Sequence, residues 1–103
     1  MSSDSNIETY HFFFKKLSNP LRIGIVSALR EKDLSVNDLV KKLKVEQSKL
    51  SHALASLRCC NIVHSNIKGK QRIYSVNKKT VVPILNIIDK HEKTFCKRCP
   101  MRK

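Results

Sequence analysis

The sequence predicts one small, mainly α-helical domain that carries a single β-hairpin, an α+β arrangement. Three observations lead there. Apolar residues recur at helical spacing through five segments of the 103-residue chain. Between the fourth and the fifth, over residues 62–76, the period changes to alternation around Lys68-Gly69-Lys70. Only two glycines and three prolines interrupt the chain, so no long linker or internal repeat divides it. The expected organisation is a flexible tail over 1–6, the domain over 7–93 and a basic, cysteine-containing tail over 94–103.

Each element has its own signal. Over 7–17, Ile7, Tyr10, Phe14 and Leu17 fall at helical intervals, with Phe12 and Phe13 on other sides. Asn19 is a good N-cap and Pro20 suits the first helical position of the next segment. Leu21, Ile25, Ala28 and Leu29 then form its buried stripe. Ser35 with Asp38 three residues on is a short-armed capping box, and Val36, Leu39, Val40 and Leu43 face inward behind it. After a brief break at Lys44-Val45-Glu46-Gln47, a fourth helix is expected from about Glu46 to Cys60, ended by Asn61 in the left-handed conformation. In the hairpin, Val63, Ser65 and Ile67 alternate with His64 and Asn66, and Gly69 makes the turn. Thr80 is placed to cap the last helix, and Pro83 lies in its tolerant first turn.

The fourth helix carries the functional argument. At about 100° per residue, Leu50, Ala53, Leu54, Leu57 and Cys60 share one face, and Ser48, Ser51, His52, Ala55 and Cys59 share the other. Gln47 and Lys49 flank this second face, which holds no carboxylate. Short hydroxyls, an imidazole, an amide and a methyl suit base edges in a major groove. A helix that meets only water usually mixes Glu and Lys. The pair of short helices with a tight break has helix-turn-helix spacing. Between residues 41 and 79 there are ten Lys or Arg and a single acid, Glu46. With a net charge of +13, this asymmetry predicts attraction to polyanions, with nucleic acid ahead of an anionic membrane surface. The plainer alternative is that the lysines form a solvated surface over a scaffold helix.

Other classes find less support. No 18-residue apolar run exists and the start is polar and acidic, so neither a spanning helix nor a signal peptide is expected. The reading is cytoplasmic and DNA-associated, with reduced thiols or metal ligands rather than disulfides. There is no Gly-rich phosphate loop, no paired acids and no Ser-His-Asp pattern, so an enzyme is not expected. Hydrophobic residues make up 41% of the chain, enough for a core. The last helix, however, spreads Val81, Val82, Ile84, Leu85, Ile87 and Ile88 over more than half its circumference, and Phe12, Phe13 and Phe14 do likewise on the first. Helices that apolar need burial, and a domain this small cannot supply it all. Phe12, Phe13, Phe14, Val81, Ile84, Leu85 and Ile88 are therefore the expected interface of a homodimer. Such a dimer would set two reading helices one DNA turn apart over a pseudo-palindromic site.

The stretches LSNPLRIGIVSAL, LSVNDLVKKLKVEQSKLSHALASLR and NIVHSNIKGKQRIYSV, with the terminal helix, resemble the ArsR-like winged helix-turn-helix regulators over residues 9 to 92. The resemblance implies a dimeric transcriptional regulator, a repressor by this reading, that binds double-stranded operator DNA. The fourth helix would enter the major groove and the hairpin would be the wing. Gln47, Ser48, Lys49, Ser51 and His52 would read bases. Lys41, Lys42, Lys44, Lys68, Lys70 and Arg72 would hold the backbone or the minor groove. A non-specific DNA-coating protein is the alternative that the charge also fits.

Many members of that family sense metals. Ser35 and Asn37 stand where one type has a cysteine pair, and Asp89-x-His91 matches only half of a second type. A third type uses cysteines at the end of the reading helix and in the tail, where Cys60, Cys96 and Cys99 lie. Independently of the resemblance, Cys96-Lys-Arg-Cys99 has the spacing of half a zinc site. No cofactor is required by this reading, and zinc or another thiophilic ion is the candidate effector, with thiol oxidation the competing role. Cys60 also reads as a small core side chain and Cys59 as an incidental surface thiol.

Overall fold

The computed structural model describes residues 3–95, which form five helices and three short strands. In chain order these are α1 (Ser3–Leu17), α2 (Pro20–Glu31), β1 (Leu34–Ser35), α3 (Val36–Leu43), α4 (Gln47–Cys59), β2 (Val63–Lys68), β3 (Gln71–Val76) and α5 (Val81–Phe95). The mainly helical domain with a hairpin wing is thus the observed architecture. Helix α1 starts inside the segment expected to be a tail, because its first turn is polar and apolar spacing registers a helix only from Ile7. Helix α5 continues to Phe95, two residues past the expected boundary.

The helix starts are built as the sequence indicates. The Asn19 side-chain oxygen accepts from Leu21 N at 2.9 Å and Arg22 N at 3.2 Å, with Pro20 at the first position. At α3, Asp38 N donates to Ser35 Oγ at 3.1 Å while Ser35 N donates to Asp38 Oδ2 at 3.3 Å, a complete capping box. Lys44 ends α3 in the left-handed region at φ 53°, and Asn61 adopts φ 58° just beyond α4. The entrance to α5 differs from expectation. It is held by Asn77, whose side-chain oxygen accepts from Lys79 N and Thr80 N and whose carbonyl accepts from Val81 N and Val82 N.

The sheet is antiparallel with order β1-β3-β2. Val63 pairs Val76, Ser65 pairs Tyr74 and Ile67 pairs Arg72 across the hairpin. Gly69, at φ 65°, and Lys70 make the two-residue turn; a left-handed first residue alone is the type II′ pattern. Strand β1 adds the third strand by pairing Leu34 with Tyr74 and Ser35 with Ile73. At two residues it leaves no alternation to detect in the sequence.

The core lies between α2, α3, α4 and the sheet. Ile25, Leu29, Leu39, Leu50, Leu54, Leu57 and Val63 are fully buried, each contributing about 1.5–3 kcal/mol of apolar burial. Val81 is only 2% exposed and belongs to this core. That corrects its expected place at a dimer interface: the first turn of α5 docks on its own chain. Phe13 and Leu85 are half-buried against the same core. Arg30 joins the end of α2 to α5, donating to Asn86 Oδ1 at 3.0 Å and to Asp89 Oδ2 at 2.6 Å.

Candidate nucleic-acid interface

Helix α4 has the two faces that its sequence prescribes. Leu50, Ala53, Leu54 and Leu57 are buried. Gln47, Ser48, Lys49, Ser51, His52, Ala55 and Cys59 are all exposed. Glu46 precedes the first turn, where a carboxylate complements the helix dipole. Asp38, the acid of α3, is engaged by the backbone of Ser35. The outer face of α4 is therefore a polar surface with cations at its edges.

Those edges include residues that sequence reading did not assign. An open groove beside α4 is lined by Asn19, Leu21 and Arg22 of the α2 entrance together with Ser48, Lys49 and His52. Arg22 is oriented by donating to the Lys16 carbonyl at 3.1 Å, and Lys16 Nζ donates to Ser56 Oγ of α4 at 2.9 Å. Lys16 and Arg22 thus extend the basic edge to α1 and α2. Some 26–40 residues separate them from their neighbours on α4, so no sequence spacing announces the contact. Arg58, in the last turn of α4, reaches the wing seven residues on, where its Nη1 donates to Ser65 Oγ at 3.4 Å.

The wing meets α4 at its last turn, through this contact of Arg58 with Ser65. Lys68, Lys70 and Arg72 are exposed, and Lys70, Gln71 and Arg72 share a second groove with Ser35, Val36 and Asn37 at the α3 entrance. Arg72 Nη1 donates to Ser65 Oγ at 3.0 Å. Lys41 and Lys42 are exposed in the last turn of α3, next to Lys44.

The candidate metal ligands are not brought together. Among the described residues no group of three or more His, Cys, Asp or Glu side chains is placed to hold an ion. Asp89 is ion-paired with Arg30, and the His91 ring lies 5.3 Å from the Phe95 ring. Cys60 is half-buried against the core and Cys59 is exposed, both as free thiols. Cys96 and Cys99 lie outside the described residues. No described helix is long and apolar enough to cross a membrane.

Comparison with known proteins gives this arrangement a lineage. Residues 19–65 match the family model described as bacterial regulatory protein, arsR family. The HTH-type transcriptional regulator Rv0081 of Mycobacterium tuberculosis is 35% identical over 79 residues, 76% of this chain and 69% of that protein. Its crystal structure has a TM-score of 0.80 at 28% identity and covers 94% of this chain and 96% of that one. The transcriptional repressor PagR of Bacillus anthracis is 30% identical over 76 residues, 73% of this chain and 76% of PagR. The PagR crystal structure has a TM-score of 0.70 at 28% identity, covering 84% of this chain and 99% of that one. The winged helix-turn-helix domain of Mb0332 from Mycobacterium bovis, at 14% identity, shares the fold with a TM-score of 0.80 over 100% of this chain and 97% of that one. The chain therefore belongs to the ArsR family of bacterial regulatory proteins and is a DNA-binding transcriptional regulator, not an enzyme.

Proposed function

We propose that the protein is a homodimeric repressor acting on a pseudo-palindromic operator. The observation that carries the reading is the exposed, carboxylate-free outer face of α4, with cations of α2 and of its own last turn beside the wing as neighbours. Gln47, Ser48, Lys49, Ser51 and His52 would address base edges. Lys41, Lys42, Lys44, Lys68, Lys70 and Arg72 would hold phosphates and fix the register. Dimerisation is supported by large apolar side chains left open on two helices. Tyr10, Phe12 and Phe14 of α1 are 63%, 58% and 59% exposed, and Ile87 and Ile88 of α5 are 67% and 50% exposed. A second copy packed on these helices would cover them, with Phe13, Ile84 and Leu85 at the margin. Likeness to PagR supports repression rather than activation.

Selection of bound duplexes from a random pool tests the reading. An enriched inverted repeat is expected, with half-site centres about 34 Å apart. Gln47→Ala and His52→Ala should change which site is preferred, whereas Arg72→Ala should weaken binding to every duplex. Enrichment of no motif would replace the operator reading with non-specific coating. For the effector, titration of the reduced full chain with Zn(II) tests the thiols of Cys60, Cys96 and Cys99. A metal-responsive regulator would change DNA affinity as thiolate absorbance grows, and unchanged affinity at saturation would reject that role.

A further inference from the structure

Ser65 stands where α4 and the wing meet. Val63, Ser65 and Ile67 share one face of the hairpin with their partners Val76, Tyr74 and Arg72. Val63, Tyr74 and Val76 are buried, so this face looks onto the core; Ile67, at 68% exposure, marks where the core has run out. Ser65 is the half-covered step between. Its hydroxyl oxygen accepts from Arg72 Nη1 at 3.0 Å and from Arg58 Nη1 at 3.4 Å. Among the described residues neither guanidinium is ion-paired with a carboxylate. Two cations thus converge on one neutral oxygen, both of whose lone pairs are taken. Each fork keeps further N–H donors, in the planar geometry that matches phosphate oxygens. Like charges gathered on one neutral group form an arrangement that an anion completes.

We propose that Arg58, Ser65 and Arg72 form one seat for a single backbone phosphate of duplex DNA, with Ser65 the positioning residue that holds both forks toward it. The inference rests on the DNA-binding reading and deepens it. Helix and wing would grip the same phosphate, so α4 cannot shift in the groove without moving the wing. The two arginines act as a unit and Ser65, which carries no charge, governs them.

The test uses the selected duplex with one neutral methylphosphonate placed at each backbone position in turn. One position per half-site should weaken wild-type binding by roughly tenfold or more, the worth of a charge-assisted hydrogen-bond pair. The same substitution should leave the Arg58→Ala/Arg72→Ala double variant unaffected. The double variant should also lose less affinity than the product of the two single losses. Ser65→Ala should lower affinity with the salt dependence unchanged, because no charge is removed, and Ser65→Thr should restore it. Circular dichroism confirms that each variant is folded. If the wild type holds the duplex but Arg58→Ala has no effect, or the two losses multiply independently, the seat alone is overturned. If the wild type binds no duplex in any form, the DNA-binding reading falls and the seat with it.

Discussion

Lys44 occupies a left-handed backbone position, at φ 53°, that glycine adopts without steric cost. It also belongs to the cations expected to meet phosphate. Lys44→Gly should separate these roles. Urea unfolding should show stability raised by up to about 1 kcal/mol, while affinity falls for all duplexes and the salt slope drops by about one. A fall in stability would mean that the lysine stem packs on the domain. Among single residues, Asn19, Ser35 and Asn61 were legible because caps are local: Asn19 and Ser35 accept from backbone N–H groups within three residues, and the Asn61 N–H donates to the Arg58 carbonyl. The role of Asn77 is not legible in the sequence, although an Asn before Lys-Lys-Thr is a sound turn former, because Thr80 offers the same capping chemistry nearer the helix. Arg22 and Arg58 could not have been placed, since their partners come from other elements.

At the scale of elements, the periodicities held where each helix packs on one side. Helix α4 shows it best: Leu50, Leu54 and Leu57 are 0% exposed and their opposite neighbours are open. Leu54→Ala should therefore cost about 2–5 kcal/mol in chemical unfolding without changing the preferred DNA site. Helix α2 passes α3 closely at Gly24, where an added Cβ would sit 3.4 Å from Leu43 Cδ2, an ordinary contact. Gly24→Ala should thus stabilise by about 0.5–1 kcal/mol, since the helix gains a better former without a clash. A thermal midpoint lowered by this change would show that α2 and α3 cannot give way. Strand β1 escaped sequence reading because pairing with β3, rather than pattern, makes two residues a strand. Helix α5 divides its apolar residues between two tasks that its pattern does not separate: Val81, expected at the dimer interface with Ile84, Leu85 and Ile88, faces the chain's own core, while Ile87 and Ile88 face outward.

For the molecule as a whole, exposure separates the faces that a second copy would cover from those that hold the fold. Phe14→Asp and Ile88→Asp alter side chains that are 59% and 50% exposed, so both variants should stay folded by circular dichroism. Sedimentation should show a monomer, and binding should fall to that of one half-site. Val81→Asp places a charge at a 2% exposed position and should unfold the chain instead. Retention of the dimer by the first two variants would move the interface elsewhere. Asn77 then acquires a meaning beyond its turn. Its amide donates to the Asn61 carbonyl at 2.9 Å, its backbone N–H donates to the Ile62 carbonyl at 2.9 Å, and its own carbonyl opens α5. One residue, through its side chain and its backbone, therefore rivets the exit of the reading helix to the root of the helix that would face the second copy. In a two-headed gauge, such a rivet sets the gap between the jaws. Loosening it with Asn77→Ala should let the protein tolerate half-sites one base pair nearer or farther apart, although the residue need never touch DNA.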